Sequence, residues 1–303
     1  MRLLVTGAGG FVGRHVLAAA AARGWHVMRA SRAATAANPF EIALGAEFWS
    51  RSDFARAIAA SRPDCILHLA GVTGATDRRT MFEANTLLAG ELLAAAAEQA
   101  EPPRVVLLGS AAEYGFVAAD AQPAAESSAC LPTTDYGIAK YAQTLLGLAA
   151  AAGGMPVLVA RLFNPVGTGM PPHLALPSFA RQLIGPIGNE VRMKVGDLGV
   201  SRDFIDVQET ARLLLDLAEL PKWDWPLVNL CSGRAFVLRD LLDQMIAASG
   251  LRVAIETSSS LQRPGGMRIL TGDIRRLAAF GLSPNVPDFQ ALLPMLLKEA
   301  RGE

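Results

Sequence analysis

The sequence predicts an α/β fold built on a parallel, doubly wound sheet. Three observations predict it: short continuous apolar runs recur along the first half, helical patterns separate them, and a glycine cluster joins the first run to the first helix. Leu3 to Val5 reads as a buried strand. It feeds VTGAGGFVG, Val5 to Gly13, and then the alanine-rich helical pattern from Phe11 to Arg23. Further strands are expected at His26 to Ala30, Cys65 to Leu69, Arg104 to Leu108 and Val157 to Leu162. Helices are expected at Asp53 to Ser61, Thr80 to Ala100 and about Tyr136 to Ala152. Strands alternating with helices in this way predict a parallel sheet covered on both faces.

The bulk composition narrows the function. The chain has 303 residues, enough for a substantial core, and its 51% hydrophobic content excludes a disordered chain. Its 28 basic and 28 acidic residues balance, so no polyanionic partner such as nucleic acid is indicated and a small ligand is the better expectation. Cys65, Cys130 and Cys231 lie far apart, without CxxC spacing or a neighbouring histidine cluster, so neither a metal nor a disulfide is expected. His15, His26, His68 and His173 show no metal or triad spacing. The first residues form the glycine turn, not a charged region followed by an apolar stretch, and no apolar run reaches membrane-spanning length. A cytoplasmic protein is expected, and no fixed-period repeat is present.

Glycine is costly inside regular structure, so a cluster between strand and helix marks a sharp turn or a close approach. An ordinary structural turn is one reading. The other is a dinucleotide site: Gly7 makes the tight turn, Gly10 leaves room for a pyrophosphate, and Gly13 lets the helix lie against its strand, with the helix N-terminus attracting phosphate charge. The spacing, Gly7-x-x-Gly10-x-x-Gly13, is a shifted form of the GxGxxG fingerprint. On this reading residues 1–165 form a Rossmann-type dinucleotide-binding domain. Prolines and glycines become frequent from Pro165 to Gly199 and again from Pro264 to Gly272. Residues 166–303 are therefore expected to be mainly a smaller substrate-binding part, with some segments returning to the first domain.

DYGIAKY, Asp135 to Tyr141, places Tyr136 and Lys140 four residues apart, on one face of a helix. An ammonium beside a phenol favours the phenolate, so the spacing predicts a Tyr136 pKa below its ordinary value and a usable proton donor and acceptor. A solvated surface pair is the competing reading.

Taken with the glycine turn and GSAAEYG, Gly109 to Gly115, this segment resembles the extended short-chain dehydrogenase/reductase family, over nearly the whole chain. The resemblance implies that Ser110 hydrogen-bonds the reacting oxygen, that Tyr136 transfers the proton, and that Lys140 binds the nicotinamide ribose and tunes Tyr136. It implies a cofactor lined by Gly7, Gly10, Phe11, Val12 and Gly13, by Ser31 and Arg32, by Glu47 and Phe48, and by Leu69, Ala70 and Gly71. Asn85 in EANTLL and the LFNPVG segment also match family positions, with plain capping and turn chemistry as the alternative.

KVGDLGVSRDFIDV (Lys194 to Val207), VNLCSG (Val228 to Gly233) and LQRPGG (Leu261 to Gly266) look like the corresponding segments of GDP-4-keto-6-deoxy-D-mannose reductases. That similarity implies reduction by NADPH of the C4 ketone of a nucleotide-linked 4-keto-6-deoxy sugar, held by Asn164, Arg202 and Arg263. Arg202 could instead pair with Asp203 or Asp206. The alternatives are an NAD-dependent nucleotide-sugar 4-epimerase and a non-catalytic dinucleotide-sensing protein. The acidic pair expected of a dehydratase is replaced by Ala111 and Ala112, with Glu113 displaced by one residue and open to a solvated or structural role. Arg29 to Arg32 contains no acid where an NAD site offers one to the ribose, so NADP is expected, with NAD as second choice. Glu47 replaces the aspartate common near adenine, and Asp135 the proline common before the tyrosine. Small apolar residues around much of the helices Thr80 to Ala100 and Asp135 to Ala152 predict, by resemblance to the family, a homodimer through a four-helix bundle.

Overall fold

The computed structural model describes residues 1–32, 41–45, 48–74, 77–184, 191–258, 261 and 268–303. Strand and helix alternate through the first half: β1 (Arg2–Thr6), α1 (Phe11–Ala22), β2 (His26–Ser31), β3 (Glu41–Ala43), α2 (Arg51–Ser61), β4 (Cys65–His68), α3 (Arg78–Phe82), α4 (Leu88–Ala97), β5 (Arg104–Ser110), α5 (Asp135–Ala152) and β6 (Val157–Leu162). The second half adds β7 (Asn164–Val166), α6 (Ala175–Leu183), β8 (Val191–Val195), β9 (Ser201–Asp206), α7 (Val207–Glu219), β10 (Leu227–Leu230), β11 (Ala235–Val237), α8 (Leu238–Ser249), β12 (Val253–Thr257), β13 (Ile269–Leu270), α9 (Arg275–Ala279) and α10 (Phe289–Arg301).

The central sheet has seven parallel strands in the order β10-β6-β5-β4-β1-β2-β3, which is a Rossmann-type arrangement. Leu4 of β1 faces Met28 of β2 on one side and Ile66 of β4 on the other. Successive side chains of β1 enter opposite layers. Leu3 and Val5 pack with Val16, Ala211 and Leu214, while Leu4 packs with Phe54, Ile66 and Leu92. Burial on both faces is why this strand is a continuous apolar run rather than an alternating one. The strand order reverses around β1, so a crevice opens between the carboxyl ends of β1 and β4.

Local signals account for the helix starts. Ser50 and Asp53 close a reciprocal capping box on α2, and the Thr134 hydroxyl accepts from the Gly137 amide (3.0 Å) at the start of α5. The helix expected from Thr80 to Ala100 begins two residues earlier, because Asp77 caps it through the Thr80 amide, and it is interrupted by a π turn over Glu83–Leu87. A smaller layer lies beside the sheet. There β9 pairs with β7, β11 and β13, and β8 pairs with β12. Leu176, Leu183, Leu242, Met245 and Leu293 from α6, α8 and α10 form its core. Among the described residues, no helix is long and apolar enough to cross a membrane.

Candidate active site

The glycine turn sits at the carboxyl end of β1. Gly7 has φ +69°, and a Cβ there would lie 2.5 Å from the Ala70 amide nitrogen and 2.6 Å from the Leu69 carbonyl carbon. Only glycine accommodates both that backbone and that approach to the end of β4. Gly13 is buried against the Gly7 carbonyl, which lets α1 lie close to its strand. Gly10 is exposed and caps α1 without a side-chain bond, and the first turn of α1, which contains Phe11 and Val12, carries no acid. The positive end of the helix is therefore uncompensated and open at Gly10, which fits an anionic pyrophosphate.

Leu69, Ala70 and Gly71 follow β4 across the crevice, tied down by the Thr6 carbonyl to the Leu69 amide (3.2 Å) and the Thr6 hydroxyl to the Ala70 amide (3.3 Å). Asn85 stands behind Gly71 on the π turn. It accepts from the Val72 amide (3.3 Å) and donates to the Val72 carbonyl (2.9 Å), so the extra residue in the helix aims an amide at the loop. Ser31 and Arg32 lie at the end of β2, Arg32 exposed, and Phe48 is also exposed. Glu47 and Arg263 lie outside the described residues.

Ser110 ends β5 and Tyr136 and Lys140 share one face of α5, and the fold brings the three together. The Ser110 side chain lies near enough to the Tyr136 phenol to favour its charged form. Lys140 Nζ donates to the Leu108 carbonyl, two residues before Ser110 (2.9 Å), and to Gln143 Oε1 (3.0 Å). A Cβ on Gly71 would lie 3.4 Å from Lys140 Nζ, so the lysine also reaches the loop after β4. Gly137 makes this possible: a Cβ there would lie 2.6 Å from the Ala112 carbonyl oxygen, so any larger residue would push α5 off the Ser110 turn. Asp135 pairs with Arg78 (3.1 Å) in the first turn of α5, where a carboxylate also suits the helix dipole.

The phenol differs from the expectation. Burial raises the Tyr136 pKa from its ordinary value, the Ser110 side chain offsets part of the rise, and the Glu113 charge adds to it. Lys140 is not among the groups that shift it, and its ammonium donates to the Leu108 carbonyl and Gln143. Lys140 itself, 5% exposed, is brought down from 10.5 to about 8 by burial. Between pH 8 and 10.5 the unfolded chain therefore binds more protons at this position than the folded one. Stability contributed by this residue rises with pH across that window and is lowest below it. Lys140→Met should remove the dependence: between those two pH values the wild type gains about 3 kcal/mol on the variant in urea unfolding. Parallel pH profiles would show that the lysine is not desolvated.

On the far side of the crevice, Asn164 of β7 donates to the Asp203 carbonyl (2.7 Å) and is half-buried. Arg202 is half-buried on β9 and donates to the Ser201 carbonyl (2.8 Å). Asp203 accepts from the Ser232 hydroxyl (2.7 Å) and from the amides of Ser232 (2.9 Å), Gly233 (3.0 Å) and Gly272 (3.1 Å), while Asp206 caps α7 through the Gln208 amide (2.6 Å). Their carboxylates are engaged with backbone and Ser232 in these contacts. Nor is Glu113 solvated: it is fully buried.

A dinucleotide-type crevice with a serine, a tyrosine and a lysine converging at its edge defines an oxidoreductase site. A profile of the NAD dependent epimerase/dehydratase family matches residues 3–227, and the chain belongs to that family. It is 31% identical to dTDP-6-deoxy-L-talose 4-dehydrogenase (NAD(P)(+)) of Kitasatospora kifunensis, over 84% of this chain and 81% of that one. It is 30% identical to GDP-6-deoxy-D-mannose reductase of Pseudomonas aeruginosa, over 97% of this chain and 96% of that one. The solved structure of RMD from Pseudomonas aeruginosa complexed with NADPH matches the fold with a TM-score of 0.82 and 27% identity, covering 100% of this chain and 99% of that one.

Proposed function

We propose that the protein reduces the C4 ketone of a nucleotide-linked 4-keto-6-deoxy sugar with NADPH. The observation that carries the reading is the convergence of Ser110, Tyr136 and Lys140 beside the loop after β4 and across from the glycine turn. The names of both relatives, each a protein acting on a nucleotide-linked 6-deoxy sugar, support the substrate class. Residues 1–165 would hold the dinucleotide and residues 166–303 mainly the sugar.

Gly7, Gly10, Phe11, Val12 and Gly13 would take the pyrophosphate, Ser31 and Arg32 the ribose phosphate, and Leu69 to Gly71 the face nearest the reacting carbonyl. Glu47 and Phe48 would border the adenine. When bound, NADPH supplies the hydride. Tyr136 gives its proton to the C4 oxygen, and a phenol whose pKa burial has raised keeps that proton available at neutral pH. Ser110 hydrogen-bonds the same oxygen as negative charge grows on it. Lys140, close to the Gly71 loop, holds the nicotinamide ribose. Asn164, Arg202 and Arg263 take the nucleotide sugar.

The discriminating experiment is a panel of GDP-, UDP- and dTDP-linked 4-keto-6-deoxy sugars incubated with NADPH, following cofactor oxidation and product stereochemistry. No oxidation with any of them, together with NAD that copurifies and needs no added reductant, would favour the 4-epimerase. For cofactor choice, Arg32→Asp should lower the NADPH-to-NADH efficiency ratio roughly ten- to a hundredfold, the equivalent of a charge-assisted bond of about 1.5 to 3 kcal/mol. An unchanged ratio removes Arg32 from the phosphate site.

The working unit would be a homodimer. Leu87, Ile138, Leu145 and Leu146 are 38% to 52% exposed on the π turn and α5, an apolar surface that a second copy could bury. Sedimentation at the monomer mass would exclude it.

A further inference from the structure

Glu113 occupies a short 3₁₀ turn, Ala111–Glu113, that leads out of β5 directly below Ser110. Its Oε1 accepts from the Ser110 amide (2.7 Å). Its Oε2 accepts from the Thr144 hydroxyl (2.7 Å) and from Arg161 Nε (2.7 Å). Three elements are thus joined on one carboxylate: the exit of β5, the helix α5 one turn beyond Lys140, and β6. Arg161 is 2% exposed and lies over the Tyr114 ring at 4.7 Å. Burial raises the Glu113 pKa, but the Arg161 guanidinium, which keeps its proton, and the Ser110 and Thr144 hydrogen bonds favour the carboxylate, and a buried guanidinium without a counter-ion is strongly unfavourable, so the pair is ionised. A dry ion pair adds little cohesion beyond what apolar side chains of the same volume would give, so its position under Ser110 calls for another role.

We propose that Glu113 is a positioning residue for Ser110, Tyr136 and Lys140: its carboxylate fixes Ser110 through the backbone amide and presents a buried negative charge to the phenol and the ammonium. The inference rests on the reading of those three residues as the reacting group. The charged and titratable groups around Glu113 are Tyr136 and Lys140 from α5, Arg161 from β6, Tyr114 from the same turn and Cys130 from the segment before α5. His68 of β4 faces Lys140 but is neutral, its pKa brought down to about 3 by burial. Glu113 is the anion among them, and the hydrogen-bond partners of Lys140, the Leu108 carbonyl and Gln143, are uncharged. Loss of the carboxylate charge removes the group that opposes phenolate formation at Tyr136 and favours the ammonium at Lys140.

The chain has three tyrosines, so ring-labelled tyrosine NMR can follow Tyr136 directly, with its signal assigned from Tyr136→Phe. In Glu113→Gln the Tyr136 titration should move to lower pH, and kcat should fall on the order of tenfold with KM for NADPH within about twofold. Should Glu113→Gln fail to fold, Glu113→Gln combined with Arg161→Met, which removes both charges together, is measured in its place with the same expected direction. The tyrosine titration needs no substrate, so the absence of NADPH oxidation with every 4-keto sugar would remove the reductase reading and leave this test standing. A Tyr136 titration that does not move in the folded variant, or the failure of both variants to fold, overturns the proposal and leaves the pair a scaffold.

Discussion

Tyr136→Phe should lower kcat by about 10² to 10⁴, the range of a positioned general acid, while NADPH binds as tightly as before. The substitution removes one oxygen and leaves a ring of the same shape against the same neighbours. The Ser110 hydroxyl still accepts from the Ala112 amide (3.2 Å) and its amide still donates to Glu113, so the serine keeps its place. A fluorescence titration with NADPH set beside steady-state kinetics separates the two effects. A loss below about tenfold would mean that another group delivers the proton.

Gly7→Ala should destabilise the fold by about 2 to 4 kcal/mol, read as a lower urea midpoint. Two costs combine at this residue. The backbone lies at φ +69°, which an L side chain rarely adopts, and the added Cβ would meet the backbone of Leu69 and Ala70. Flexible side chains could move aside; two strand ends joined in one sheet cannot. The variant should also bind NADPH more weakly, because a shift there moves both walls of the crevice. A midpoint equal to that of the wild type would mean that the turn can be rebuilt without its glycine.

The parts of the site legible in the sequence are those whose partners are close in the chain. Tyr136 and Lys140 are four residues apart, and helix geometry alone puts them on one face. Gly7, Gly10 and Gly13 follow a strand and open a helix within seven residues, so their backbone role can be read without knowing what lies opposite. Of the seven strands of the central sheet, β1, β2, β4, β5 and β6 are legible as apolar runs, and in β1, β4, β5 and β6 this is because both faces are buried.

What was not legible depends on groups far apart in sequence. The role of Glu113 is not legible in the sequence because its cation, Arg161, is 48 residues away on another strand. Tyr114 donates to Asn229 (2.6 Å) across 115 residues, and Asp203 meets the Gly272 amide across 69. No spacing rule connects such positions. The π turn over Glu83–Leu87 is likewise not legible, because the contact Asn85 makes there, with Val72 of the loop after β4, leaves no mark on the helical pattern. The direction of the Tyr136 pKa was reversed for a related reason: the sequence places an ammonium four residues away, but only the packing decides how much water the phenol loses and where that ammonium points.

The sequence by itself therefore determined the alternation of strand and helix through most of the first half, the glycine turn after β1 and the placing of Tyr136 and Lys140 on one helix face, because periodicity and short spacing are properties of the chain. The tertiary structure alone decided the charge environment of those residues. Desolvation and long-range pairing exist only once β5, α5 and β6 have been packed against one another.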